Sequence, residues 1–147
     1  MGREQNTTRS LAIYLGVAAL LLAIVVGWQI IDHRTATQTG SCPPRAISAD
    51  DISQLNQDLG SSVTVDGSVV LTHYAPTEEG QPTFLDFHDP YQGYFEVVIW
   101  VENRSAFNQP PEDYYLNKKV CVTGTLSYYA GPQIRVTSPN QIVVVGS

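Results

Sequence analysis

A run of apolar residues without a single charge, Leu11 to Ile31, constrains this chain more than anything else in it. Its only polar side chains are Tyr14, Trp28 and Gln29. At 1.5 Å rise per residue, about 20 such residues cross a hydrocarbon layer of roughly 30 Å. A buried core helix of that length would carry a polar stripe. A cleaved signal peptide has a shorter apolar stretch and ends at a small-x-small site. Here Asp32, His33 and Arg34 follow directly, and the nearest candidate site, ending at Ala36, has Arg34 where a small residue is needed. Cys42 does not read as a lipoprotein cysteine, because Thr39 stands where a large apolar residue is required. Residues 11–31 are therefore expected to be an uncleaved transmembrane helix whose partner is the lipid bilayer. Arg3 and Arg9 outweigh Glu4 before it, while Asp32 and Arg34 cancel after it. The positive-inside bias places residues 1–10 in the cytoplasm and the rest outside it. The expected location is the cell (inner) membrane, crossed once.

Residues 32–45, DHRTATQTGSCPPR, have no apolar periodicity and read as a linker stiffened by Pro43 and Pro44. Residues 46–147 remain for a folded domain, a length that suits a single core. Over residues 43–147 five basic residues stand against twelve acidic ones, a net −7. Tight binding to a phosphate backbone needs clustered Lys and Arg, so this balance weighs against it. The two cysteines, Cys42 and Cys121, have two readings. They pair, stapling the linker to the domain, or they stay free with Cys121 packed as a small apolar residue. The second is preferred.

The domain reads as mainly β. Residues 49–59 carry Ile52, Leu55 and Leu59 at helical spacing, with Ser48 as N-cap and Gly60 as stop. Strands are expected over 62–74, 82–88, 94–101, 119–129 and 133–137, with a closing segment at 141–145. Pro110 and Pro111 followed by Glu112 and Asp113 suit the first turn of a helix between the third and fourth strands. Val63-x-Val65-x-Gly67-x-Val69 is echoed by Val120-x-Val122-x-Gly124-x-Leu126. Glycine inside a strand costs stability unless the strand bends or a neighbour comes close, as in small barrels.

Three strands, a helical connection and two more strands is the order of the oligonucleotide/oligosaccharide-binding (OB) fold. ValThrValAspGly (63–67), ThrPheLeuAspPhe (83–87), PheGluValValIleTrp (95–100), LysValCysValThrGly (119–124) and GlyProGlnIleArgVal (131–136) resemble a bacterial family of OB-fold, nucleic-acid-binding-like domains. The resemblance implies a five-stranded OB-fold barrel with a short N-terminal helix and a strand 3–4 connecting helix, behind the transmembrane helix. It implies no catalytic signature. The architecture is also similar to the haem chaperones of cytochrome c maturation, but those bind haem through a tail histidine, and this chain has no His after His88.

Chemistry is sparse in the sequence. Asp86 and His88 share a strand face by period two, beside Asp89. They read best as a solvated strand end with a turn-forming Asp-Pro. No P-loop, nucleophile elbow, CxxC or metal-ligand spacing is present, so no enzyme, cofactor or metal is expected. An OB barrel binds through strands 2–3 and the flanking loops, with aromatics that stack on bases or sugars. Candidate ligand residues are Phe84, Tyr91, Tyr94, Trp100, Tyr128 and Tyr129, with Arg104 and Arg135 for phosphate. The expected function is an extracytoplasmic binding module for a polymer, single-stranded nucleic acid being one candidate and then only weakly bound. The alternative is a structural or interaction subunit of a membrane protein complex.

Overall fold

The computed structural model describes residues 40–146, so the expected helix over residues 11–31 lies outside the described residues. Among those described, no helix is long and apolar enough to cross a membrane. The described part is mainly β, with strands β1 (Ile47–Ser48), β2 (Ser62–Ser68), β3 (Leu71–Tyr74), β4 (Thr83–Asp86), β5 (Glu96–Ile99), β6 (Lys119–Tyr128), β7 (Pro132–Arg135) and β8 (Ile142–Val144). Helices are short: α1 (Ile52–Gln57), α2 (Val101–Arg104) and α3 (Pro111–Tyr115).

All eight strands join one open sheet in the order β1-β2-β6-β7-β5-β4-β3, and β8 pairs β6 off that path. The expected five-stranded barrel is corrected to an open sheet of eight strands. Residues 47–48 add a parallel rung to β2, and residues 142–144 pair with the start of β6. The expected strand 62–74 also splits, because its backbone changes partner midway. Val69 N–H donates to the Lys118 carbonyl at 3.0 Å, towards β6, while Val70 N–H donates to the Asp86 carbonyl at 2.8 Å, towards β4.

The helix expected over 49–59 is shorter and starts later. Ser48 is not its cap; it belongs to β1, and the Asp51 carboxylate accepts from the Gln54 N–H at 3.0 Å. Leu55, on the inner face of α1, is fully buried, whereas Leu59 is exposed beyond its end. α3 begins at Pro111, where a missing N–H costs nothing, and buries Tyr115. Val101, expected in a strand, opens α2 instead.

Alternate residues of the strands fill the core: Val65, Leu85, Val97, Ile99, Val120, Val122, Leu126 and Ile134 are all shielded from water, with Phe95 and Val136 beside them. The two strand glycines answer to close packing. A Cβ on Gly67 would lie 2.7 Å from both Ala49 Cβ and Phe87 Cδ1, and one on Gly124 would lie 2.5 Å from Ile134 Cγ2. The preference for free thiols is also corrected. Cys42 and Cys121 form a disulfide across 79 residues of sequence, fixing the end of the linker to β6. Cys121 lies between the core residues Val120 and Val122, on a strand that pairs with β2 and β8, so its side chain faces outward to the linker.

Candidate functional site

Strands β3, β4, β5 and β7 lie side by side, and their register lines up two rows of residues on the side away from the core. One row runs His73, Phe84, Val98, Arg135, and the other Leu71, Asp86, Glu96, Gln133. The opposite side carries Leu85, Val97 and Ile134, all core residues. An outward row on a two-sided sheet is ordinarily solvated. Here Asp86 is only 5% exposed, Val98 2% and Gln133 4%. Asp86 is therefore not the solvated strand end expected from the sequence. Three loops wall the outer side and shelter it.

Those walls enclose two cavities of about 460 and 350 Å³ that share Glu78, Phe84 and Tyr129. The first is lined by His73, Asp86 and Glu96 from the strands, with Tyr91 and Gln92 from the 87–95 loop. The second continues over Val98 to Trp100 and Arg135, with Glu79 and Pro82 from the 75–82 loop. Together they make one groove across four strands. His73 stacks on Phe84 with ring centroids 6.5 Å apart. Arg135 lies over the Trp100 ring at 5.7 Å. Gly80 lets its loop rest on that indole: its φ is +74°, and a Cβ there would come within 2.6 Å of the ring.

Electrostatically the groove is acidic at the His73 end. Burial pushes the Asp86 carboxyl up to about 6, while nearby His73 pulls the other way. Burial, and then the negative charge of Asp86, pushes Glu96 up to about 7. Two carboxylates facing each other across a ladder repel, and the shelter that surrounds them sharpens the effect. Asp86 Oδ1 is buried with no hydrogen-bond partner. Shifted carboxyls gathered in a cleft are a mark of functional sites.

Of the residues expected to contact ligand, Phe84, Tyr91, Trp100, Tyr129 and Arg135 meet in the groove. Three do not. Tyr94 stacks on His88, centroids 3.6 Å apart, within its own loop. Tyr128 is exposed but lines neither cavity. Arg104 is spoken for: its guanidinium forks onto Glu112 at 2.8 and 3.0 Å, donates to Thr83 Oγ1, and lies over the Tyr74 ring at 3.9 Å. The groove residues that sequence reasoning missed are His73, Glu78, Asp86, Glu96 and Gln133. Period-two alternation put Asp86 beside Phe84 and Glu96 beside Val98, which was the available signal.

A larger depression of about 720 Å³ lies between the linker and α1, lined by Pro43, Arg45, Asp51 and Asp58 among others, but with no aromatic residue. Among the described residues no group of three or more His, Cys, Asp or Glu is placed to hold a metal ion. No protein-family model matches the chain, and no curated protein matches it.

Proposed function

We propose that residues 46–147 are an OB-fold binding module, carried outside the cytoplasm by the 11–31 anchor, with its ligand lying across β3, β4, β5 and β7. The observation that carries this reading is the groove: a floor of Phe84 and Val98 under a largely exposed Tyr129. The OB reading draws support from strand order. β2 and β3 belong to one stretch of chain that changes partner at Val69 and Val70, from β6 to β4, as the first strand of an OB fold does, although β2 and β3 do not pair and the sheet is open. β4 and β5 then stand as the second and third barrel strands, and 75–82 and 129–131 as the loops that flank an OB ligand. The disulfide supports an oxidising, extracytoplasmic setting.

The lining bears on the ligand. Glu78, Glu79, Asp86 and Glu96 face the groove against the single guanidinium of Arg135. That charge disfavours single-stranded nucleic acid. It favours the accessory-subunit reading, in which a polypeptide occupies the groove.

The detergent-solubilised full chain, labelled with 15N, tests the groove with four probes: a short oligothymidylate, cellobiose, spermidine and the peptide Gly-Lys-Gly. Shift changes should cluster on β3, β4, β5, β7 and the Tyr129 turn. Changes scattered over the surface, or confined to the depression beside α1, would refute it. Oligothymidylate should bind at best micromolar at low salt, since each phosphate contact adds about −0.7 to the log–log salt slope. Nanomolar affinity at about 0.15 M salt, lost on Trp100→Ala or Arg135→Ala, would establish the nucleic-acid reading instead. For the anchor, a reporter active only outside the cytoplasm and fused after Ser147 should be active, with the protein in the membrane fraction. Soluble mature protein starting near residue 37 would refute it.

A further inference from the structure

We infer that the His73 end of the groove is a receptor for an organic cation, an alkylammonium or guanidinium head group held between the carboxyls of Asp86 and Glu96 and the rings of Phe84, Tyr91 and Tyr129. The inference rests on the reading of this face as the ligand surface and names the chemistry of the occupant.

Three independent observations converge on it. The first is composition. The cavity is lined by three carboxylates, Glu78, Asp86 and Glu96, and by three aromatic side chains besides His73, with no Lys or Arg among its lining residues. The second is Asp86 itself. It is 5% exposed, and its Oδ1 is buried without a hydrogen-bond partner. An acceptor in that condition costs stability and is relieved by a donor from outside the chain. An ammonium brings three donors and a guanidinium five, and neither brings an acceptor that would repel the acids. The third is that the chain builds the same arrangement for its own use nearby. Arg104 lies over the Tyr74 ring while its fork grips Glu112, and Lys118 sits over Tyr114 at 3.4 Å. Arg104 thus has both a carboxylate and a ring as its environment, and Lys118 a ring.

A metal ion is the poorer occupant. Aromatic walls offer it no lone pairs, and the described residues gather no three-ligand group. Rings suit a soft, weakly hydrated organic cation, which gains from their negative faces.

The charge state of the site follows from what faces Asp86. From β3 comes His73, from β5 Glu96, from the 75–82 loop Glu78, and from the other two walls the phenols of Tyr91 and Tyr129. With Asp86 near 6 and Glu96 near 7, the pair holds protons in mild acid and releases them above neutrality. Cation binding therefore strengthens as pH rises through that window and releases protons while doing so.

Titration calorimetry on the detergent-solubilised full chain tests this, with spermidine, Gly-Lys-Gly and agmatine as probes. At about pH 8 at least one should bind, and affinity should fall about tenfold or more by about pH 5.5, as the carboxyls take up protons. Asp86→Asn should weaken binding at pH 8 by about tenfold, the scale of losing one partner of a sheltered charge pair. Glu96→Gln, a second variant that removes no volume, should do the same. Phe84→Leu should cost about threefold, the size of a ring contact to a cation. Spermidine binding more tightly than the peptide assigns the site to a free polyamine; the reverse assigns it to a side chain of a polypeptide. Binding untouched by both carboxyl variants would overturn the inference, as would calcium ion alone binding where no amine does. If cellobiose or oligothymidylate shifts the groove while no amine binds, the cation inference falls and the binding-module reading stands. If no probe perturbs the groove, both fall.

Discussion

Glu112 and Asp86 are both carboxylates sheltered beside β3 and β4, and the molecule treats them in opposite ways. Around Glu112 every group is matched. Its two oxygens take both arms of the Arg104 fork, Arg104 also serves the fully buried Thr83 hydroxyl, and the Glu112 carbonyl accepts from Thr72 Oγ1 at 3.0 Å. Similar matching runs through the rest of the scaffold. Lys119 pairs with Asp66 at 3.6 Å, and Gln141 completes a capping box with Ser138 while donating to the Thr123 carbonyl. Around Asp86 one of the two strand partners is another acid, Glu96, and one oxygen has no donor. The scaffold side is built to be stable alone. The groove side carries an unmatched acceptor and two opposed acids, the cost that the proposed cation would relieve.

Perturbing the two sides should therefore have opposite signs. The largest loss is expected on the scaffold from opening the Cys42–Cys121 disulfide, by reductant or by the double change to serine. By chain entropy a closed loop of this length contributes about 4.5 kcal/mol, while native disulfides typically contribute about 2–4 kcal/mol, and a domain of this size should lose on the order of 10 °C in melting temperature for it. Thermal denaturation with and without dithiothreitol checks this; an unchanged midpoint would remove the staple from the account. Next comes Arg104→Ala, which strands Glu112 and the Thr83 hydroxyl together and should cost about 2 kcal/mol. Chemical denaturation of the variant measures it, and a loss below about 0.5 kcal/mol would place Arg104 among ordinary surface ion pairs.

On the groove side the sign reverses. The folded chain holds the Asp86 and Glu96 protons to about 6 and 7, while the ordinary values are 3.8 and 4.5. Their contribution is fully present below about pH 4 and is lost as pH rises through about 6 to 7. Asp86→Asn with Glu96→Gln should flatten that decline and stabilise the domain at pH 8 by about 1 kcal/mol per site after solvent screening. Denaturation across pH decides it: a variant with the same pH profile as the parent would contradict the comparison. The smallest effect belongs to Tyr128→Ala. That ring is 59% exposed and lines neither cavity, so stability should move by less than about 0.5 kcal/mol and probe binding not at all.

The strand β6 was legible almost to the residue, 119–129 against Lys119–Tyr128, because its apolar alternation is long and begins at a clear boundary. β4 and β5 were found in place but drawn too long, since their ends carry loop contacts that alternation cannot see. Five of the eight expected ligand residues gather in the groove: Phe84 and Arg135 because period two assigns a strand residue to a face, and Trp100, Tyr91 and Tyr129 because they stand at strand ends or in loops that border that face. Arg104 escaped, since its partners lie 8 residues ahead and 21 behind and only the fold brings them to it. Asp86 and Glu96 escaped for the same reason. Their faces could be read, but their meeting depends on register between strands, and their burial on loops that close over them. The pairing of Cys42 with Cys121 likewise depends on where the linker lies, which spacing does not reveal.

The disulfide also sets how the domain carries mechanical load. A pull applied between its two ends does not run along the chain. It crosses from Cys42 to Cys121 through the sulfurs and continues only along residues 121–146. Everything between, including β3, β4 and β5 with the acids and Phe84, is a closed loop that tension bypasses. Full extension of the oxidised domain would release at most about 90 Å of chain, against roughly 370 Å once the bond is cut. Tension applied between the two ends of the domain would thus keep most of the groove out of the line of force.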